Sequence, residues 1–322
     1  MSASLSAAMP APLTIAFLSS NLDFSYLLPA FQAQFPEARL RLGTELGPLE
    51  DIDAAVCWYP PEGLLARLPR LRLIQSVGAG IDHITADPAL PERPVCRIID
   101  PDMGQGMTAY VTWAVIQHQR HMGAYLRSAA ARRWEEQPVQ PPRLHRVGIA
   151  GLGTLGLACA EALLNIGYSV CGWSRSPKHD LPAGLQAFHG EAGQAEFLAG
   201  CDTLVCLLPL TDDTRGILSQ PLFNQLPRGA HLINVGRGAH LVEADLLAAL
   251  ASGQLGAATL DALTQEPLPP EHPFWAEPRI LITPHIATRT DPAVIARQTA
   301  DNLARIDAGC AAEVAVDLRR GY

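Results

Sequence analysis

The chain reads as an α/β protein of two lobes, each built around a parallel sheet in the Rossmann-like or flavodoxin-like manner. Three observations lead there. Its 322 residues exceed what one core usually organises, at about 100 to 200 residues per domain. Short apolar runs alternate with amphipathic stretches along most of its length, the pattern of parallel strands joined by crossover helices. A glycine cluster, Gly151-Leu152-Gly153-Thr154-Leu155-Gly156, directly follows one such run and opens a helical one.

In the first lobe the strand candidates are Leu13 to Leu18, Ala54 to Trp58, Leu73 to Gln75 and Val95 to Ile98. A helix capped near Asn21 is expected to run towards Gln34. A long helical stretch from about Met107 to Ser128 leads into Glu136-Gln137-Pro138-Val139-Gln140-Pro141-Pro142, whose prolines end any helix and mark a surface passage between lobes. The second lobe then offers six strands: Arg146 to Ala150, Tyr168 to Trp173, Thr203 to Leu207, His231 to Val235, Ala257 to Leu260 and Ile280 to Thr283. The last helical pattern, Ala293 to Ile306, has no strand of its own lobe left to serve and is expected to return to the first lobe, making it discontinuous.

Composition narrows the function. With 48% hydrophobic and 17% charged residues there is ample apolar surface for two packed cores. A formal net charge of -8 speaks against a nucleic-acid partner, which needs a basic face. Seven cysteines without a C-x-x-C pair or zinc-type spacing predict buried thiols in a reducing compartment, the cytoplasm, and no metal. Met1 to Pro12 lacks the basic flank and long apolar run of a signal peptide or membrane span.

The glycine cluster has the context that gives it weight. Gly151 permits the tight turn, Gly153 allows backbone to approach a pyrophosphate, and Gly156 allows close helix-to-strand packing, with Thr154 and Leu155 opening the helix whose positive end faces the phosphates. At the end of the next strand an NAD enzyme carries an acidic residue for the ribose 2'-hydroxyl. Here the segment is Trp173-Ser174-Arg175-Ser176-Pro177-Lys178, which offers cations and hydroxyls to a 2'-phosphate, so NADPH is expected, with NADH the weaker alternative. Leu208 and Pro209, beyond a buried strand, are expected on the ribose side, and Val235 and Gly236 are counted with the cofactor-binding residues.

Three polar residues each follow a strand, where open α/β sheets place their chemistry. Arg237 sits between glycines and suits an anion; His285, in Thr283-Pro284-His285-Ile286-Ala287, can donate a proton near neutral pH; Glu266 can hold that ring oriented and charged.

On these motifs, with Ser76-Val77-Gly78-Ala79-Gly80-Ile81-Asp82 and Leu260-Asp261-Ala262-Leu263-Thr264-Gln265-Glu266-Pro267-Leu268, the chain resembles the D-isomer-specific 2-hydroxyacid dehydrogenases over nearly its whole length. Cys57-Trp58-Tyr59-Pro60-Pro61, Trp173 to Ser176 and the ending Val316 to Tyr322 resemble the glyoxylate/hydroxypyruvate reductase A branch. The resemblance implies a substrate lobe of residues 1–108 and 290–322, a nucleotide-binding lobe of 109–289, and a homodimer. It implies that Arg237 binds the carboxylate of a small 2-keto acid, His285 protonates the keto oxygen, Glu266 sustains its charge, and Val77, Gly78, Ala79 and Gly80 donate backbone N–H groups to the carboxylate. Trp58 would close the pocket, and Asp261 would lie near the nicotinamide amide, although a strand-end turn former is nearly as good a reading of it.

The sequence departs from the family at Asp261-Ala262-Leu263, where Asp-Val-Phe is usual, at Ala109 in place of a glutamate, and at Tyr59 in place of a histidine. Other readings are a phenylpyruvate- or phosphoglycerate-type dehydrogenase, the latter commonly with a C-terminal regulatory domain for which this chain has no stretch, and a non-catalytic nucleotide-sensing scaffold of the same fold.

Overall fold

The computed structural model describes residues 12–43, 45–312 and 315. The N-terminal leader up to residue 11 and the Val316 to Tyr322 motif lie outside them. The chain divides into two compact units, one of Met1–Asp100 with Thr290–Tyr322 and one of Pro101–Arg289.

In the first unit β1 (Thr14–Ser19), β2 (Arg39–Leu42), β3 (Ala54–Trp58), β4 (Leu73–Ser76) and β5 (Val95–Cys96) form one sheet in the order β2-β1-β3-β4-β5, parallel at each pairing. β2 was not among the expected strands, because Arg-Leu-Arg-Leu at a sheet edge is too short and half-polar to stand out. After β1, Asp23 accepts the Ser25 amide and caps a 3-10 turn, Phe24–Leu27, before α1 (Leu28–Gln34) begins. The expected single helix from Asn21 is thus two pieces, since Pro29 in the first turn of α1 has no amide to continue the preceding turn. Phe17, Phe24 and Phe31 are fully buried here, with Phe17 and Phe31 edge-to-face at 4.9 Å, each ring worth about 1.5–3 kcal/mol of burial. A short α2 (Asp82–Thr85) follows β4.

The second unit opens with α3 (Pro101–Gln119) and α4 (Met122–Ala130). The expected helix from Met107 starts earlier and breaks at His121, whose φ of +55° is left-handed and interrupts the helical backbone. The boundary between the units accordingly falls at Asp100/Pro101, ahead of residue 108, and the proline-rich 136–142 runs inside the second unit instead of between the two.

Beyond it lie β6 (Arg146–Ala150), α5 (Thr154–Ile166), β7 (Ser169–Ser174), β8 (Gln186–His189), α6 (Gly190–Leu198), β9 (Thr203–Cys206), α7 (Gln220–Phe223), β10 (Ala230–Asn234), α8 (Glu243–Ser252), β11 (Leu255–Leu260) and β12 (Ile280–Ile282). The sheet order is β12-β11-β10-β9-β6-β7-β8, parallel throughout. β8 is a seventh strand that the sequence reading passed over, again a short polar edge. One face of the sheet is covered through Phe197, Phe223, Leu246 and Phe274, the other by α3 and α5 through Val111, Val115, Cys159 and Leu163.

The last helix, α9 (Pro292–Asp307), belongs to the first unit, where it packs on α1 and β4. Its buried Asn302 donates to Gln75 at 3.0 Å, and Gln75 in turn donates to the Cys96 carbonyl. Six cysteines are buried, but Cys310 is exposed, against the expectation for all seven; it follows the helix end, where no core remains to cover it.

Candidate active site

The three polar residues gather at the carboxyl ends of β10, β11 and β12 in the second unit. His285 Nδ1 meets Glu266 Oε2 at 2.9 Å and Oε1 at 3.1 Å, both side chains partly buried. Glu266 Oε1 also accepts the Leu263 amide at 2.9 Å. Burial pushes the Glu266 carboxyl up, but the His285 ring, the Leu263 amide and the charge of Arg237 outweigh it and hold the group below its ordinary value. Glu266 is therefore a carboxylate at neutral pH, and with Nδ1 donating to it, Nε2 is the imidazole position left to exchange a proton.

Arg237 is placed by a turn that the sequence reading did not anticipate. Asn234 accepts the Gly236 amide at 3.2 Å and donates to the Arg237 carbonyl at 2.9 Å. The Arg237 amide donates to His240 Nδ1 at 3.0 Å, while His240 Nε2 reaches the Pro209 carbonyl at 3.3 Å. Both Asn234 and His240 are fully buried. A Cβ on Gly238 would overlap the Leu263 carbonyl, so that glycine lets the strand-end loop carrying Glu266 lie directly on the Arg237 turn. The signal that could have found His240 was its spacing, three residues after Arg237 where a capping side chain falls.

Asp261 proves to be an anchor. Its buried carboxylate accepts the Thr283 hydroxyl at 2.7 Å and the amides of Ile286 and Ala287 at 2.8 and 2.9 Å, and its carbonyl accepts the His285 amide at 3.0 Å. These bonds hold His285 at φ +53°, a left-handed conformation uncommon for a residue with a side chain. Asp261 thus shapes the strand-end turn.

The glycine cluster fits a dinucleotide. Gly151 has φ +111°, and a Cβ there would come within 2.6 Å of the Leu207 carbonyl oxygen; one on Gly156 would overlap the Gly151 carbonyl. Gly153 faces open space and is the N-cap of α5 with no side chain capping its amides, which leaves a cradle for a pyrophosphate. Leu208 and Pro209 follow the backbone that lies against this turn, and Val235 is buried below the Arg237 turn. Beyond β7, Arg175, Ser176 and Lys178 stand exposed in the turn. Ser174 is buried with its hydroxyl donating to the Ser176 carbonyl at 2.8 Å, and Trp173 faces inward, its indole N–H on the Gly190 carbonyl at 2.9 Å. Those two shape the turn from beneath.

In the first unit the Val77 to Gly80 loop leaves the end of β4 half-buried. The Val77 amide is engaged by the Cys57 carbonyl and the Gly78 amide by Ser76 Oγ, so Ala79 and Gly80 carry the loop's remaining donors. Trp58, at the end of β3, packs its ring against Gly78 and 4.3 Å from His83, with Tyr59 beside both. Among the described residues no His/Cys/Asp/Glu group could hold a metal ion, and no helix is long and apolar enough to cross a membrane.

A parallel β sheet with a pyrophosphate cradle and a paired imidazole and carboxylate beside an arginine defines a nucleotide-dependent oxidoreductase, and the comparisons with known proteins give the same class. Residues 112–287 match the family model "D-isomer specific 2-hydroxyacid dehydrogenase, NAD binding domain". A glyoxylate/hydroxypyruvate reductase A of Yersinia enterocolitica is 38% identical over 318 residues, covering 96% of this chain and 100% of the relative. The crystal structure of a D-isomer-specific 2-hydroxyacid dehydrogenase from Xanthobacter autotrophicus Py2, in complex with NADPH and MES, matches with a TM-score of 0.87 at 40% identity, covering 97% of this chain and 100% of that one. An NADPH-dependent glyoxylate/hydroxypyruvate reductase from Sinorhizobium meliloti, solved with NADP and sulfate, matches with a TM-score of 0.88 at 34% identity, covering 96% and 100%. The chain belongs to the D-isomer-specific 2-hydroxyacid dehydrogenase family, in its glyoxylate/hydroxypyruvate reductase A branch, and is an NAD(P)-dependent oxidoreductase acting on CH–OH groups.

Proposed function

We propose that the protein reduces small 2-keto acids, glyoxylate and hydroxypyruvate foremost, to 2-hydroxy acids with NADPH, of D configuration where the product is chiral. The observation that carries this reading is the 2.9 Å bond between His285 and Glu266 beside the charge of Arg237. Nicotinamide supplies the hydride when the cofactor is bound. Residues of this chain do the rest. The Gly151 to Gly156 turn and the first-turn amides of Thr154 and Leu155 hold the pyrophosphate, and Arg175, Ser176 and Lys178 face the 2'-phosphate. Arg237 anchors the substrate carboxylate and stabilises the developing alkoxide, to which His285 passes the proton on Nε2. Glu266 keeps that proton in place until transfer.

The first unit takes the role of substrate lobe in this reading. The amides of Ala79 and Gly80 are its donors suited to a carboxylate, and Trp58 limits the size of acid accepted. NADPH and NADP in the relatives' complexes, and Ser174-Arg175 instead of an acidic residue at the end of β7, both favour NADPH over NADH. A homodimer is supported by the apolar side chains exposed on α3 and α4, Trp113, Met122 and Leu126 among them. A cytoplasmic setting is supported by six buried, unpaired cysteines. A steady-state panel of glyoxylate, hydroxypyruvate, pyruvate and phenylpyruvate against NADPH and NADH tests the reading. Glyoxylate and hydroxypyruvate with NADPH are expected to give the highest kcat/KM, and preference for phenylpyruvate or NADH would overturn the reading.

A further inference from the structure

The polar network that positions His285 extends past Asp261 into α3. Tyr110 Oη lies 2.5 Å from Thr283 Oγ1, which in turn donates to Asp261 Oδ1 at 2.7 Å. Asp261, a buried carboxylate, is the acceptor at the end of this chain, so the Thr283 proton points to Asp261 and the phenol proton points to Thr283. On the other side of His285, Thr288 donates to the Met103 carbonyl at 2.8 Å. A Cβ on Gly106 would sit 2.9 Å from Thr288 Oγ1, which makes glycine the residue that admits this approach. Met103, Gly106 and Tyr110 are spaced three and four apart and share one face of α3. The acid loop, Thr283 to Thr288, is therefore gripped at both ends by one helix face, with a left-handed His285 between.

We propose that Tyr110 is a positioning residue for proton transfer, its phenol fixing Thr283 and through it the Asp261 carboxylate that holds the His285 loop. The inference rests on the reading of His285 as the acid. Burial and the Asp261 charge push the Tyr110 phenol up to about 12, so it remains a donor throughout the working range of the enzyme. Among the described residues, the donors to Asp261 besides Thr283 are the backbone amides of Ile286 and Ala287, so the phenol reaches the carboxylate through Thr283.

Tyr110→Phe keeps the ring and removes only the hydroxyl. It is expected to lower kcat for glyoxylate about five- to twentyfold while KM for NADPH stays within about twofold, because a misplaced acid affects the chemical step and not cofactor binding. Thr283→Ala loses as much, Thr283→Ser restores activity, and Tyr110→Phe adds little to Thr283→Ala because both act through one chain. A second measurement needs no turnover. In the ligand-free protein the His285 ring C–H resonance, identified by its loss in His285→Ala, is expected to shift or broaden in Tyr110→Phe. An unmoved resonance overturns the proposal, as does full additivity of the two substitutions. A moved resonance in a protein that reduces no keto acid leaves the positioning intact and removes the proposed function.

Discussion

Gly238 and Leu263 are packed so closely that no side-chain atom fits between them. Through this contact the turn bearing Arg237 and the loop bearing Glu266 share one backbone surface, and the charge of Arg237 bears on Glu266 as a consequence. Arg237 and the Glu266–His285 pair, which the proposed function assigns to anion binding and proton transfer, are thus coupled by a missing methyl group.

Gly238→Ala is expected to separate the two loops. Overpacking of this kind costs about 1–3 kcal/mol, so the midpoint of thermal unfolding falls. kcat should fall together with affinity for the keto acid, since Arg237 and Glu266 move apart. Calorimetry beside steady-state kinetics checks it; a variant with native stability and kcat would show that the contact is dispensable.

Glu266→Gln removes the carboxylate but keeps a group able to bond the ring. Loss of a positioned proton-transfer partner is worth about 10²–10⁴ in rate, and kcat is expected to fall within that range with KM for NADPH nearly unchanged. A glutamine does not titrate, so the acid-side loss of activity that protonation of Glu266 causes in the wild type should be absent from the variant. In the wild type Glu266 is held below its ordinary value, so this support is present above the usual carboxylate range and is lost only as pH falls through that lowered value. A pH profile of kcat for both proteins reads it.

Arg175→Ala should discriminate between cofactors. Arg175 stands exposed after β7 where a 2'-phosphate would be read. Loss of a charge-assisted bond of about 1.5–3 kcal/mol predicts a tenfold or greater rise in KM for NADPH, with KM for NADH little changed. Equal effects on the two cofactors would place the phosphate elsewhere.

Acid should destabilise the fold through three histidines of the second unit, His231 fully buried and His118 and His145 half-buried. His118 stacks on His231 at 4.1 Å, His231 Nε2 pairs with Thr259 at 3.0 Å, and His145 Nε2 pairs with Thr203 at 2.9 Å. Burial and the neighbouring rings push His118 down to about 4 and His231 well down; burial also lowers His145, against the opposing charge of Asp202. The unfolded chain takes up these protons near pH 6.5, so stability is full above that value and is lost as pH falls towards 4, by on the order of 3 kcal/mol from His118 alone. His118→Phe keeps a stacked ring and should flatten the decline in melting temperature over that interval.

The sequence made the fold class and the polar trio readable because both rest on side-chain type at strand ends: glycines after β6, arginine after β10, glutamate after β11, histidine after β12. The short edge strands β2 and β8 escaped because an edge is half-polar and lacks the apolar run that marks a central strand. The break at His121 was hidden because a histidine, not a glycine, takes the left-handed turn. The supports of the site were least legible. Asn234, His240 and Asp261 act mainly on backbone amides and carbonyls, and Tyr110 reaches Thr283 across 173 residues of chain. No local spacing announces such bonds.

The central claim is that His285 is the proton donor in keto-acid reduction. It is tested most directly by following NADPH oxidation with glyoxylate in the wild type and in His285→Ala, alongside NADPH binding to each. Turnover is expected in the wild type, with a loss of about a hundredfold or more in the variant and cofactor affinity preserved. Equal turnover in both would contradict it.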